Sequence, residues 1–353
     1  MPNPYELLSL TEILRERTDL SREDCHSAAS LLTDPAPGHD EKEDFLRALA
    51  QKGETPEEVA AFADFFRGKA LDPNLDAYSR EAIDIVGTGG DKSGTFNFST
   101  ATALLIASMG IPVMKHGNRS ITSMSGSADL LAALGVPMDA DESFLEKSLE
   151  ENSFCFFFAP SFHPAFKEIM PVRKKLAETG TKTIFNLLGP LINPGRPTFQ
   201  LMGVYSSEWV APLASALTRL GLKSALVVHS QLSESKGVDE LTVSGKNQIA
   251  GAGDLSGETF SDSFTDYGLA EAPLSALKGG DADQNLQILH DVAEGKASAA
   301  VEDTLCLNAG ASLLACQRVA DLGSGIETAR EKVRSGEWAN WLNSFKEFHS
   351  KHA

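Results

Sequence analysis

From Ala82 onward, short apolar runs alternate with longer stretches of helical periodicity, and this alternation limits the fold more than any other feature. AIDIV reads as a strand leading into glycines, STATALLIASMG as a helix closing at Gly110, and IPVMK as the next strand. SADLLAALG reads as a helix capped at Ser127 and FCFFFAP as a buried strand, so Phe154, Phe156, Phe157 and Phe158 belong to a core more readily than to a ligand platform. FQLMGVYS, APLASALTRLGL and KSALVVHS repeat the cycle of strand, helix and strand. Strands joined through helices pair in parallel, which gives an α/β domain with a mainly parallel central sheet. Residues 247–282, rich in Gly, Asp and Ser, hold short strands and loops, and QNLQILHDVAEG and DTLCLNAGASLLACQRVADLG close the domain with helices.

The chain before this point reads as helical throughout. In ETPEEVAAFADFFRG, Thr55 is the N-cap, Glu58 completes a capping box, Pro56 sits in the first turn and Gly68 is the stop. DEKEDFLRALAQKG and SREDCHSAASLL have the same character, and LDPNLDAYSREA is a linker. The expected organisation is a small N-terminal helical domain, 1–76, and a large α/β ligand-binding domain, 77–353. The first twenty residues lack the basic start and apolar block of a signal peptide, and no apolar run is long enough to span a membrane. Cys25, Cys155, Cys306 and Cys316 form no CxxC pair, as expected of reduced thiols in a cytoplasmic protein. A net charge of −18 disfavours nucleic-acid and membrane partners, but leaves room for a small anion in a local electropositive pocket.

Such a pocket has a candidate in DIVGTGGDKSGTFNFST, residues 84–100, which joins a strand to a helix where open α/β sheets bind ligands. Gly87, Gly89 and Gly90 allow the main chain to turn N–H groups toward an anion at a helix N-terminus, or else simply make a tight turn with positive φ. The stretch has neither the Walker pattern nor the dinucleotide fingerprint. KHGNRSITSMSGSAD, 115–129, gathers Lys115, His116, Asn118, Arg119 and several hydroxyls in one loop after a strand. In KGVDELTV, Asp239 and Glu240 stand just before an expected strand; they either face water or hold Mg²⁺ beside phosphates.

Taken in order, GTGGDKSGTFNFST, KHGNRS with SGSAD, FAPSFHPAFK, TIFNLLGPLINP and VDEL resemble the motifs of the anthranilate phosphoribosyltransferases, from about Lys52 to the NAGASLL helix. The resemblance implies a nucleoside phosphorylase/phosphoribosyltransferase-like fold. It also implies a homodimer formed through the helical part, which helices around 164–182 join in space. The implied enzyme is a Mg²⁺-dependent pentosyltransferase of tryptophan biosynthesis, with two Mg²⁺ per active site and no partners beyond its small-molecule substrates and a second copy. It would move the phosphoribosyl group of 5-phosphoribosyl 1-diphosphate to the amine of anthranilate.

By the same resemblance, the donor is held by Gly87, Thr88, Gly89, Gly90, Asp91, Thr95, Asn97, Ser99 and Thr100, with Lys115, His116, Gly117, Asn118 and Ser127. Anthranilate is held by Gly87, His116, Asn118, His163, Arg173 and Pro190, with Arg173 taking the carboxylate because a guanidinium fork matches it. An exposed helix arginine is the plain alternative. The metal ligands are Ser99, Asp239 and Glu240, an all-oxygen set suited to a hard cation. No separate catalytic residue is implied, since an aromatic amine is neutral at pH 7 and attacks directly. Three departures from the family pattern bear on substrate detail: a longer 177–182 link ending in Lys182, a longer 231–238 segment after Ser230, and Ala132 in place of an acid. The rival readings are a relative with another aromatic amine acceptor, a pyrimidine nucleoside phosphorylase, and a non-catalytic nucleic-acid-binding relative.

Overall fold

A computed structural model describes residues 5–119, 124–234, 236–261 and 263–352. Ser120 to Ser123 of the hydroxyl-rich loop and Ser235 of the longer 231–238 segment lie outside the described residues. The chain opens with α1 (Tyr5–Arg15), α2 (Arg22–Thr33), α3 (His39–Lys52) and α4 (Pro56–Lys69). Thr55 caps α4 as expected: its hydroxyl accepts from Glu58 N–H (3.2 Å) and the Glu58 carboxylate accepts from Thr55 N–H (2.9 Å). That buried carboxylate also takes Leu20 N–H (2.9 Å) and Lys52 Nζ (2.8 Å), so one side chain ties α4 to the end of α3 and to the connection between α1 and α2. Gly68 does not stop α4, which runs on to Lys69; glycine costs a helix only about 1 kcal/mol, and here it lies in the last turn. The expected linker contains a short helix, α5 (Asp76–Ser79).

The α/β part follows as β1 (Ile83–Gly87), α6 (Phe98–Ser108), β2 (Val113–Gly117), α7 (Ser127–Ala133), α8 (Glu142–Asn152) and β3 (Phe154–Phe158). Next come α9 (Ala159–Phe162), α10 (Met170–Glu178), α11 (Phe185–Leu188), β4 (Phe199–Gly203), α12 (Val210–Arg219) and β5 (Ser224–Ser233). β6 (Lys236–Val238), β7 (Lys246–Gly253), α13 (Ala282–Ala293), α14 (Ala299–Ala315), α15 (Leu322–Arg334) and α16 (Glu337–His352) complete it. The sheet order is β3-β2-β1-β4-β5-β6, with β7 also paired to β5; β6 and β7 are antiparallel and the other pairings parallel.

Two local expectations need correction. Ser127 is the first helical residue of α7, and the cap position belongs to Gly126, whose N–H donates to Asp129 Oδ2 (2.8 Å). Asp239 and Glu240 directly follow the strand β6, and the next strand, β7, begins only at Lys246, because the 241–243 run is buried without joining the sheet.

One sheet face packs on α6, α14, α15 and α16 through residues such as Leu104, Leu105 and Leu305. The opposite face shares its core with α1–α4, α10, α11 and α12. The chain leaves β1 for β2 and β3 on one side, then crosses back to β4 on the other side of β1. That reversal opens a crevice at the carboxyl ends of the strands, where such sheets place ligands. Among the described residues, no helix is long and apolar enough to cross a membrane.

Candidate active site

The Gly-rich loop leaves β1 at this crevice. Thr88 N–H donates to the Gly203 carbonyl at the end of β4 (2.9 Å), and Thr88 Oγ1 accepts from Tyr205 N–H (3.1 Å). Gly89 and Gly90 have φ of +66° and +80°, the left-handed conformation that glycine adopts freely. This turns Gly89 N–H onto Asp239 Oδ2 (2.7 Å). Gly87 and Gly203 serve differently: a Cβ on either would overlap Asp239, its carboxylate in the first case and its main-chain carbonyl in the second. Two side-chain-free positions on neighbouring strands therefore let the 239–240 segment lie across the crevice.

The far end of the loop is fixed by Phe96 N–H to Leu277 O (2.9 Å) and by a bridge between Thr95 and Lys278. Asn97 heads α6; its amide donates to Ser125 O (3.2 Å) and its carbonyl accepts from Asn285 (2.7 Å), joining the loop to the hydroxyl-rich segment and to α13. Ser99 N–H donates to Glu240 Oε1 (2.9 Å), while buried Thr100 Oγ1 has no hydrogen-bond partner among the described residues.

Asp91, Asp239 and Glu240 thus crowd one place, and Asp91 was legible only as part of the donor loop. Asp91 Oδ2 and Glu240 Oε2 are shielded from solvent without a partner among the described residues. Burial, then the Asp91 carboxylate, pushes Asp239 up to about 7. Burial, then Asp239 and Asp91, pushes Glu240 well above the usual range. Orphaned, mutually repelling carboxylate oxygens fit a hard cation. Mg²⁺ is such a cation, and it takes one or two carboxylates with water and substrate phosphates as its other ligands.

On β2, Lys115 is buried and its Nζ donates to Ile85 O (2.5 Å). Burial lowers it to about 8, against the opposing pull of Asp84 and Glu240. A Cβ on Gly117 would overlap Ser127, whose hydroxyl donates to Asn118 O (3.3 Å), and Asn118 is left at the mouth.

His116 points the other way. Its Nδ1 lies 3.2 Å from Gly189 O and its Nε2 3.1 Å from His163 Nε2. A carbonyl only accepts, so neutral His116 carries its proton on Nδ1 and His163 donates from Nε2. Burial holds both rings neutral, His116 near 3 and His163 near 4. Pro190 follows Gly189 and is buried, its carbonyl held by Gln200 (2.6 Å). The His163 ring meets Phe166, and Arg173 sits 5.9 Å from the Phe166 ring and 5.2 Å from the Phe185 ring. Arg173 Nη2 reaches Phe185 O (3.5 Å), and the guanidinium makes no ion pair among the described residues. The acceptor candidates His116, His163, Arg173 and Pro190 therefore form one wall. Phe166 and Phe185, both inside quoted motifs, belong to it and were not singled out. The longer 177–182 link lies elsewhere: Thr179 and Thr181 accept from Arg47 of α3 (3.3 and 3.1 Å), and Lys182 sits 3.2 Å above the Tyr205 ring.

Residues 79–339 match the glycosyl transferase family, a/b domain. An anthranilate phosphoribosyltransferase of Xanthobacter autotrophicus is 45% identical over 291 residues, covering 82% of this chain and 81% of that protein. The crystal structure of the Thermus thermophilus anthranilate phosphoribosyltransferase superposes with a TM-score of 0.85 at 37% identity, covering 96% of this chain and 99% of that one. The Saccharomyces cerevisiae anthranilate phosphoribosyltransferase, solved in complex with PRPP and Mg, gives 0.82 at 29% identity with 98% of each chain covered.

Proposed function

The chain belongs to the anthranilate phosphoribosyltransferases, and from that premise we propose how its residues divide the reaction. The enzyme transfers the phosphoribosyl group of 5-phosphoribosyl 1-diphosphate to the amine of anthranilate, releasing diphosphate, in tryptophan biosynthesis, and it uses Mg²⁺. The observation that carries the division of labour is the end of β2. Successive residues of a strand face opposite sides, so Lys115 turns toward β1 and Glu240 while His116 turns toward His163 and Gly189. Donor and acceptor sides meet at consecutive residues.

On the donor side, the amides and hydroxyls of Gly87 to Thr100, with Lys115, Asn118 and Ser127, hold the diphosphate and ribose. Asp239, Glu240 and Ser99 hold Mg²⁺, two ions per site, with Asp91 adding charge beside them. When bound, Mg²⁺ supplies positive charge against the phosphates. The amine of anthranilate is neutral and needs no base to attack. The carbon it meets develops oxocarbenium character as the diphosphate leaves, as at other glycosyl centres. The work of the chain is accordingly positioning and charge. Arg173, flanked by Phe166 and Phe185, takes the anthranilate carboxylate, and the neutral His116–His163 pair, Asn118 and Pro190 shape the wall behind the ring. Two copies join through the helical N-terminal part, where Leu8 of α1 is exposed.

The test is direct. Purified protein with Mg²⁺, 5-phosphoribosyl 1-diphosphate and anthranilate should consume anthranilate fluorescence with equimolar diphosphate release. Diphosphate release with other aromatic amines but none with anthranilate would overturn the assigned acceptor.

A further inference from the structure

β1 and β2 are adjacent five-residue parallel strands, yet only Ile83 and Val113 pair between them. β1 with β4, and β2 with β3, pair along their whole length. The sheet is therefore parted on the side where the Gly-rich loop and the Lys115–Asn118 segment emerge. Parted strands leave buried main-chain groups without ladder partners, and each would cost free energy if left unsatisfied.

Three side chains fill the rift. Asp84 Oδ1 accepts from His116 N–H (3.2 Å), and Asp84 Oδ2 accepts from the Asn193 amide (2.8 Å). The same amide donates to Met114 O (2.7 Å), and Lys115 Nζ donates to Ile85 O (2.5 Å). Asn193 is itself fixed by accepting from Gly195 N–H (2.9 Å). All three side chains are buried, Asp84 completely. A lone acid in the apolar run IDIV thus pins β2 on both sides of Lys115, at His116 N–H directly and at Met114 O through Asn193, without an ion pair to Lys115 among the described residues. Burial pushes Asp84 up to about 6, and Lys115 is the largest influence opposing that rise. The mechanism above uses Asp84 nowhere.

We infer that Asp84, braced by Asn193, is a positioning residue for the donor: it props β1 and β2 apart and fixes the main chain on either side of Lys115, which sets where that ammonium meets the diphosphate. This rests on the reading that Lys115 contacts the donor. It assigns a role to a group that touches neither substrate, and it explains why the carboxyl ends of two sheet neighbours separate at the point where two substrates must meet.

Steady-state kinetics of the full-length Asp84→Asn variant with Mg²⁺ test it. Asparagine keeps the size and one accepting oxygen while removing the charge. The KM for 5-phosphoribosyl 1-diphosphate should rise roughly tenfold, the scale of a lost charged contact, with the anthranilate KM within about twofold of wild type. Calorimetric binding of the donor alone should weaken by the same factor. If Asp84→Asn does not fold, Asn193→Ser, which removes the brace and leaves the carboxylate, should weaken donor binding in the same direction. Unchanged donor binding in the folded variants, or equal rises in both KM values, would overturn the inference. An inactive wild-type enzyme would instead overturn the functional assignment on which it rests.

Discussion

Arg173 shows what a single residue decides here. Among the described residues its guanidinium, half-buried between two phenylalanine rings, is bonded only to a main-chain carbonyl and a thioether, which supports its proposed use on a carboxylate. Burial already lowers its proton affinity, so a carboxylate arriving there relieves an unpaired charge. Arg173→Ala should raise the anthranilate KM by roughly 10- to 100-fold, the scale of a charged hydrogen bond, while the donor KM stays within about twofold. Arg173→Lys should recover only part of the loss, since an ammonium cannot offer the planar fork. Steady-state kinetics with each substrate varied in turn would check this, and equal damage to both substrates would remove the assigned role.

At the scale of elements, the glycines of the site fall into two classes, and they predict different consequences. Gly203 lies at the end of β4 against the main chain of Asp239, so alanine there must displace either the strand end or the 239–240 segment. Gly203→Ala should cost about 1–3 kcal/mol in urea unfolding, as overpacking does, and should raise the Mg²⁺ concentration needed for half-maximal activity. Gly68→Ala is the control: it lies within α4 with open space around its missing Cβ, and it should be neutral or gain up to about 1 kcal/mol. A Gly203→Ala enzyme with wild-type stability and Mg²⁺ dependence would show that the segment does not need this close approach. The same contrast explains what could be read in the sequence. The Gly87–Gly90 loop was legible because glycines bunch locally between a strand and a helix. Gly203 was not, because its partner is reached only once β4 is known to lie beside β1. Asp84 and Asn193 were equally hidden: their meaning depends on a gap between two strands, and no spacing along the chain records a gap. The Asp239–Glu240 pair stands out in the sequence, but its strand lies on the other side from the one expected, since the 241–243 run carries the pattern of a strand and is buried without pairing.

For the whole molecule, the connector near residue 76 divides the chain more clearly than it divides the core. Phe45 of α3 and Phe62 and Phe66 of α4 belong to one apolar cluster with Val172 and Leu176 of α10, Phe185 of α11, Leu213 and Leu217 of α12, and Met202 and Val227 of the sheet. Phe66 touches Phe166 and Phe185, the rings that flank Arg173, so the helical part packs against the proposed acceptor wall as well as covering the sheet. Polar ties cross the same boundary, with Glu43 of α3 accepting from Lys175 of α10 (2.6 Å). Units that share a core unfold together, whereas independent domains melt apart. Scanning calorimetry of the full chain should therefore give one cooperative transition, with the loss of anthranilate turnover tracking it. A chain lacking residues 1–76 would leave Phe185, Leu213 and Leu217 uncovered and should fail to give any cooperative transition, because the second face of the sheet would keep only α10, α11 and α12, with the outer side of their core open to water. Two well-separated transitions in the full chain, or a truncated chain that melts cooperatively on its own, would mean that the helical part is an appended domain and that the acceptor wall is built without it.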